Sequence, residues 1–217
     1  MEMKMEYFDH CFIEGDTLET SDVVNGGAEL FLYQSGYLTI KGYDDGVYIL
    51  GFPNFEVRKA LYRVVVPALT MKSNSEVVSA QSFLRKMMQD GNTVEAKKAL
   101  KALIADVPYS NKKMASMDME ERYRLIMSTI FRALGFRVEV ERMLATGRID
   151  MIVEVPSIIY VLELKLSNNG GISAAESQIK DKSYTEPFKA DKRKVIALAV
   201  ELDETGKGLI DWKEVKG

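Results

Sequence analysis

Two apolar segments near the carboxyl terminus carry charge where a buried β-strand should carry none. The first segment, 149–155, contains Asp150, and the second, 158–166, contains Glu163 and Lys165. Both are rich in β-branched residues, and only two residues separate them, which is typical of a hairpin. Three charged groups inside a sheet are costly unless they pair with one another or hold a metal ion. The fold of this chain must therefore provide such a site.

The turn between these segments predicts how the charged residues face one another. If Val155 and Ile158 pair across the turn, Asp150 lies opposite Glu163, because each is five residues farther along its strand. Directly opposed residues of an antiparallel pair share a face. Lys165 then projects beside Glu163, since residues two apart on a strand point the same way. A slip of one residue would separate the two carboxylates.

Paired carboxylates in this arrangement suit metal chemistry. They repel and raise each other's pKa unless a cation sits between them, and Mg²⁺ is the hard cation that such oxygen ligands prefer. Lys165 would add positive charge for an anionic transition state or position an attacking water. The same spacing also fits a half-exposed amphipathic strand with Glu163 and Lys165 in solvent, so both interpretations stay open at this point.

Composition excludes several other functions. A single cysteine, Cys11, cannot form an internal disulfide, and a single histidine, His10, argues against Ser–His or Cys–His catalysis and against histidine-rich zinc sites. The net charge of −3 gives no global basic field. We find no long apolar run, no signal-peptide core and no Gly-rich phosphate loop, so we expect a cytoplasmic protein without membrane contact or a nucleotide motor of its own.

Periodicity divides the chain into a helical half and a sheet half. We predict a lead-in segment at 1–27, a β-hairpin plus helical segment at 28–110 and a separate domain at 111–217, with the boundary in the Pro-containing stretch 107–111. Pro67 should end or kink the helix that begins at Phe55. The elements predicted before the boundary are a helix at 28–35, strands at 37–43 and 47–52, and helices at 55–66, 74–89 and 94–105.

The second half predicts an α/β (α+β) fold with a mixed sheet. Three consecutive strands joined by short turns form an antiparallel meander. A helix then crosses over, in the right-handed sense, to a strand parallel to the third. The predicted elements are a helix at 119–134, strands at 136–142, 149–155 and 158–166, a helix at 174–184, and strands at 193–202 and 209–215.

This order of elements, with the motifs GRID at 147–150 and YVLELK at 160–165, resembles the PD-(D/E)XK nuclease superfamily. The phrases GYLTI at 36–40 and LGFPNFEVR at 50–58, and the segment 175–188, are similar to a bacterial branch of uncharacterised proteins. That branch joins an ATPase-like domain to a C-terminal nuclease-like domain, and this chain resembles the C-terminal part. The resemblance implies a restriction-endonuclease-like core, a nuclease that uses Mg²⁺ or Mn²⁺ on DNA, and an ATPase domain absent from this chain as a partner.

The resemblance also implies roles for individual residues. Asp150 and Glu163 would bind the metal together with the backbone carbonyl of Leu164, and Lys165 would stabilise the transition state. A helix acid, Glu120 or Glu121, would complete the site. At that helix start, however, both acids would also favour the helix dipole, so the choice stays open.

Further side chains are assigned by the same resemblance. Gln178 would face the site from the crossover helix as a catalytic residue, although it is also a plausible exposed helix glutamine. It stands six residues before Tyr184, where some relatives have four, and Arg124 stands where this branch is expected to have a histidine. The basic residues assigned to nucleic-acid binding are Arg124, Arg148, Lys180 and Lys182. The alternative function is a catalytically weak or inactive module of the same fold that binds nucleic acid or protein beside an ATPase.

Overall fold

The computed structural model describes residues 8–19, 27–105 and 118–216. The chain forms two compact units, Met1–Tyr62 and Arg63–Gly217. The predicted boundary at 107–111, and residues 25 and 26 of the loop expected at the end of the lead-in, lie outside the described residues. The division into 1–27, 28–110 and 111–217 therefore stays a prediction.

The first unit contains the predicted hairpin and one strand that the sequence did not predict. The hairpin closes through Asp45 and Gly46, both with positive φ, as a two-residue turn between twisted strands requires. The unpredicted strand is only four residues long, too short to show an alternating pattern. The antiparallel sheet has the order β1-β3-β2, and its elements are β1 (Cys11–Glu14), α1 (Gly15–Glu19), α2 (Gly27–Gln34), β2 (Thr39–Asp44) and β3 (Val47–Gly51).

Three helices follow, α3 (Phe55–Thr70), α4 (Asn74–Asp90) and α5 (Thr93–Ile104). Of the end or kink predicted at Pro67, the end is wrong, because α3 continues for three more residues. Proline removes one backbone N–H without preventing a final turn, and there the Thr70 hydroxyl donates to the Val66 carbonyl at 2.9 Å. Ser73 caps α4 through a capping box, and Gly91 ends it in the left-handed conformation.

The second unit has the predicted mixed sheet, with the order β4-β5-β6-β7-β8. The first three strands form an antiparallel meander, β6 and β7 are parallel with a helix between them, and β8 pairs antiparallel at the edge. The predicted α+β fold is confirmed. The elements are α6 (Met119–Ala133), β4 (Arg137–Leu144), β5 (Gly147–Glu154), β6 (Ile158–Leu166), α7 (Gly171–Asp181), β7 (Lys194–Leu202) and β8 (Leu209–Val215).

Strand β6 is covered on both faces, which explains its nearly continuous apolar sequence. Ile159 and Val161 belong to the buried cluster that also contains Ile179 of α7. Tyr160, which points to the other face, donates a hydrogen bond of 2.6 Å to the Met88 carbonyl of α4. The sheet is therefore a buried platform, and a charged group at its strands must find a partner within the protein.

Helix α5 packs against the edge strand β8. The Trp212 indole Nε1 donates to the Thr93 carbonyl at 2.9 Å, and Lys97 Nζ lies 2.6 Å from an Asp211 carboxylate oxygen. These contacts hold α5 against the last strand of the sheet. Within the described ranges, none of the helices is both long and apolar enough to cross a bilayer.

Candidate active site

The charged residues lie where the β5–β6 ladder stops. Backbone pairing runs from Glu154 opposite Ile159 to Met151 opposite Leu162, which is the register predicted from the turn. Asp150 and Glu163 occupy the next position, beyond the last pair. There the Asp150 carboxylate, through Oδ2, accepts the backbone N–H of Leu164 at 2.9 Å. A side chain thus replaces the backbone as the hydrogen-bond partner at this point.

The strands are distorted at Asp150. Strict alternation would place Ile149 and Ile152 on opposite faces, yet both pack in the same apolar cluster. In the neighbouring ladder, pairing also skips the position of Asp150, and the residue opposite it, Glu141, has a φ of 54°. A non-glycine residue with positive φ marks a local irregularity of the strand. Because of this distortion, Asp150 does not follow the regular alternation of side chains along β5. Its carboxylate contacts Leu164 of β6 and Arg124 of α6 instead.

Glu163 and Lys165 form a buried ion pair at the same position. Glu163 has no exposed surface, and its Oε1 accepts from Lys165 Nζ at 2.9 Å. The second carboxylate oxygen, Oε2, has no hydrogen-bond partner in the described part of the chain. Burial, followed by the charge of Asp150, holds the pKa of Glu163 well above its usual range. An orphaned, buried carboxylate oxygen of this kind requires a cation or a proton.

Lys165 keeps its proton despite burial. Burial alone lowers the pKa of an amine, but the hydrogen bond to Glu163 and the charges of Glu163, Asp150 and Glu120 outweigh it, so the pKa of Lys165 is raised. The side chain is 15% exposed, which leaves it a route to solvent. Lys165 is therefore a fixed positive charge beside two carboxylates, which is inconsistent with a fully solvated strand face.

Helix α6 brings Glu120 to the site. The Asp118 side chain caps the helix by accepting the Glu120 backbone N–H at 3.2 Å. Burial, and then the negative charge of Asp150, raises the pKa of Glu120, and Lys165 and Arg124 act in the opposite direction. Glu121 is the next residue around the helix and points roughly 100° away. Of the two helix acids left open by the sequence, the structure thus brings Glu120 toward Asp150.

Arg124 is buried among carboxylates. Its side chain contacts Glu141 at 3.1 Å, Glu120 at 3.3 Å and Asp150 at 3.6 Å. The whole residue is only 8% exposed. The guanidinium is therefore occupied by protein groups, and its assignment to nucleic-acid binding stays a prediction that this geometry does not support.

Gln178 contacts the site through Tyr184. The half-buried amide of Gln178 donates to the Tyr184 hydroxyl at 3.0 Å, and that hydroxyl donates to the Arg148 carbonyl at 2.7 Å. Burial raises the pKa of Tyr184, and the charges of Glu163 and Asp150 add to it. The spacing of six residues between Gln178 and Tyr184 thus still brings the two side chains together. The catalytic role of Gln178 stays a prediction.

The remaining basic residues lie at the turn that precedes β5 and at the end of α7. Arg148 is half-exposed and pairs with Glu141 at 2.8 Å. Lys182 is exposed, and its carbonyl accepts from the Thr146 hydroxyl at 2.8 Å. Lys180 is exposed in the last turn of α7. Arg148, Lys180 and Lys182 are thus accessible to a ligand, whereas Arg124 is not.

The donor set fits a hard divalent cation held by few protein ligands. Among residues 8–19, 27–105 and 118–216, no three His, Cys, Asp or Glu side chains are arranged around one point as a ready metal site. Asp150 and Glu163 nevertheless present carboxylate oxygens at one position, and Glu163 Oε2 has no partner among the residues that the structure describes. Mg²⁺ commonly binds through one or two carboxylates and retains several waters. The pair therefore fits that type of site.

Two residues at the site were missed from the sequence. The sequence indicated Glu141 only as part of an alternating strand. In the structure Leu144 pairs with Gly147, and continuing that register along the two strands places Glu141 opposite Asp150. Tyr184 was noted only for its spacing from Gln178. Its position could not be foreseen, because the chain leaves α7 through Ser183, which has a φ of 52°, before Tyr184 turns inward.

Comparisons with known proteins relate this chain to a curated relative and to a family model. A protein of Azotobacter chroococcum mcd 1 described as "Uncharacterized protein in vnfD 5'region" is 26% identical over 209 residues, covering 90% of this chain. The chain spans 39% of that relative's length. No solved structure gives a significant match. Residues 118–212, which include Asp150, Glu163 and Lys165, match the family model of the PD-(D/E)XK nuclease superfamily. This segment is thus similar to that superfamily, and its mixed α+β architecture is consistent with a restriction-endonuclease-like fold.

Proposed function

We propose that this chain is a nuclease that uses Mg²⁺ or Mn²⁺ to hydrolyse phosphodiester bonds of DNA. The observation that carries the proposal is the pair of buried carboxylates of Asp150 and Glu163, with the half-buried Lys165 beside them, at the end of the β5–β6 ladder. Burying charged groups costs free energy, and groups whose pKa values are shifted by burial and by neighbouring charges cluster at functional sites. The match of residues 118–212 to a nuclease superfamily supports this reading.

The metal would be held by Asp150, Glu163 and the backbone carbonyl of Leu164. When bound, such an ion supplies positive charge to a phosphate oxygen and makes a bound water more acidic. The Leu164 N–H fixes the Asp150 carboxylate in place, which limits the reorganisation that binding requires. Glu120 is close enough to Asp150 to feel its charge and would complete the site directly or through water.

Lys165 would stabilise the negative charge that develops on the phosphate. Its raised pKa keeps it protonated at neutral pH, and its hydrogen bond to Glu163 fixes the ammonium group at the site. Fixed charges that need not reorganise during the reaction are the main source of catalysis in phosphoryl transfer. Gln178 would support the site through Tyr184.

DNA would approach along the turn before β5 and the end of α7. Arg148 and the exposed Lys180 and Lys182 would contact the phosphate backbone, since such contacts give most of the affinity without sequence preference. We further propose that the nuclease-like segment works beside an ATPase domain absent from this chain. The greater length of the Azotobacter relative leaves room for one.

The test is cleavage of supercoiled and linear DNA by the purified chain with Mg²⁺ or Mn²⁺. We expect cutting that EDTA stops, and that Asp150→Asn and Lys165→Met remove. Glu154→Gln is the matched control for the aspartate, because Glu154 lies on the same strand but outside the site. Its carboxylate pairs with Arg193 at a distance of 2.8 Å. Lys213→Met is the matched control for the lysine. Full cutting by both site variants would contradict the assignment.

One observation favours a second candidate, an inactive module that binds nucleic acid or protein. Arg124 lies 3.6 Å from Asp150 and already neutralises part of the carboxylate charge that a metal would use. Such a module would bind DNA without cutting it and would show no heat of Mn²⁺ binding. Binding of DNA with neither cleavage nor metal uptake would favour this candidate over the nuclease.

A further inference from the structure

Helix α7 and the residues after it reach from strand β7 to strand β5. At the start of the helix, the Ile172 backbone N–H donates to the Glu201 carboxylate of β7 at 3.3 Å. After its end, the Tyr184 hydroxyl donates to the Arg148 carbonyl of β5 at 2.7 Å. Strand β6, which carries Lys165, lies between β5 and β7 in the sheet. The helix therefore spans the strand of the candidate site and is tied to the strand on either side of it.

The start of α7 takes its acceptor from another strand. Gly170 precedes the helix and provides no side-chain cap, so the first backbone N–H groups, with their partial positive charge, need a partner from elsewhere. The Glu201 carboxylate supplies that partner. A Cβ on Gly171 would lie 2.6 Å from Glu201 Oε1 and 2.7 Å from Glu201 Cδ. A glycine at position 171 is therefore what lets the carboxylate reach the helix start.

Glu201 stands beside Lys165 in the sheet. The parallel ladder of β6 and β7 pairs Lys165 with Glu201 and Glu163 with Ala199. Paired residues of neighbouring strands lie on the same face. Ala199 packs in the buried cluster that contains Ala175 of α7, so this is the face that the helix covers. The half-buried Glu201 thus joins α7 to the strand position next to Lys165.

We propose that Glu201 is a positioning residue of the nuclease. It fixes the start of α7 on β7, and the rigid helix transmits that position to Gln178 and Tyr184 at its other end. Tyr184 in turn holds the Arg148 carbonyl, two residues before Asp150. The inference rests on the proposed function, because it concerns the geometry of that site. Glu201 acts through the helix and does not contact the reacting groups.

The first test is single-turnover DNA cleavage by folded variants, well below their melting temperatures. Glu201→Ala should slow cleavage about 10- to 100-fold, because a small misplacement of groups at a site costs that much. Glu201→Gln keeps an amide oxygen that accepts the Ile172 N–H, so it should restore most of the rate. Glu176→Ala is the matched control, since Glu176 also joins α7 to the sheet, through Lys213 at 3.0 Å, but in a surface ion pair of little energetic weight.

The second test approaches the same contact from the helix. Gly171→Ala places a methyl group where the carboxylate lies and should also slow cleavage. In the Glu201→Ala background the methyl group meets no carboxylate, so the double variant should cut no more slowly than Glu201→Ala alone. Losses that multiply in the double variant would show that the two residues act independently and would overturn the inference.

The outcomes separate this inference from the proposed function. Wild-type cleavage by folded Glu201→Ala, or an equal loss in Glu201→Gln, overturns the positioning role and leaves the nuclease proposal standing. No cleavage by the wild-type chain contradicts the proposed function, and amide hydrogen exchange of the metal-free chain then decides the inference. Faster exchange from Ile172 through to Tyr184 in Glu201→Ala, but not in Glu176→Ala, supports it. Faster exchange confined to the first turn of α7 overturns it.

Discussion

The β5–β6 hairpin has two halves that differ in pairing, burial and charge. Near the turn, residues from Met151 opposite Leu162 to Glu154 opposite Ile159 follow the ladder without a break, and Ile152, Ile159 and Val161 pack in the apolar cluster. At the other end the ladder stops, the alternation fails, and Asp150 and Glu163 are buried with charge. The paired half stabilises the fold by burying apolar surface, whereas the charged half costs free energy of desolvation.

The end of the β5–β6 ladder explains why the site lies where it does. A carboxylate within a regular ladder would meet only backbone and apolar side chains. Where the strands separate, the freed Leu164 N–H becomes available to Asp150, and α6 can bring Glu120 and Arg124 into contact with it. Substitutions that affect one half without the other test whether the two halves have separate roles.

The largest effect should come from Lys165→Met. Removing a fixed charge from the reacting phosphate should lower the rate of DNA cleavage about 10³-fold or more. The variant should stay folded at the assay temperature but melt lower than wild type, because Glu163 Oε1 loses its hydrogen-bond donor. Single-turnover cleavage and thermal unfolding measure the two effects. A variant that loses its fold along with its activity would remove the contrast between the two halves.

The apolar half should respond in the opposite way. Ile152 is 1% exposed, so Ile152→Ala leaves a cavity and should cost about 3 kcal/mol of unfolding free energy. Cleavage at low temperature should continue, because the charged half is unchanged. Urea denaturation gives the free energy, and a complete loss of cutting by the folded variant would show that the halves are not separable.

In the metal-free protein, the Glu163→Gln variant should become more stable relative to wild type as pH rises. The pKa of Glu163 is raised on folding, so the folded carboxyl binds its proton more tightly than the unfolded one, and stability falls as pH rises through the folded pKa. Glutamine does not titrate. The variant should therefore gain roughly 3 kcal/mol over wild type between about pH 5 and about pH 8. Urea denaturation in EDTA measures the difference in unfolding free energy between the variant and wild type. The same difference at both pH values would contradict the prediction.

The smallest effect should come from Tyr184→Phe. The lost hydroxyl bridges Gln178 and the Arg148 carbonyl, so the variant should lose about 1 kcal/mol of stability. If the hydroxyl also positions the site, cleavage should slow about tenfold. Tyr160→Phe is the matched control, because its hydroxyl bonds Met88 in the apolar region and should cost stability alone. Equal rates for both variants would assign Tyr184 a structural role only.

Much of the fold could be predicted because its determinants are local. The apolar periodicity of α6, the turn around Pro156 and the long apolar run of β7 each specify an element from neighbouring residues. The register of β5 against β6 also followed from the length of their turn. Strand β1 escaped prediction because four residues carry no periodic signal.

The site could be predicted only in part, because several of its contacts depend on tertiary packing. Asp150, Glu163 and Lys165 were visible as charges within apolar strands. The burial of Arg124 was not visible, since it depends on Glu141 and Asp150 from two other elements. The choice of Glu120 over Glu121 likewise depended on how α6 is rotated toward β5.

The central claim is that Asp150 and Glu163 hold a divalent cation at the open end of the hairpin. Anomalous scattering from a crystal soaked in Mn²⁺ tests it most directly. The account predicts one peak between the two carboxylates, at about 2.1–2.3 Å from an oxygen of each, with Lys165 Nζ still hydrogen-bonded to Glu163 Oε1. A crystal with no peak there, and with Glu163 Oε2 still without a partner, would contradict it.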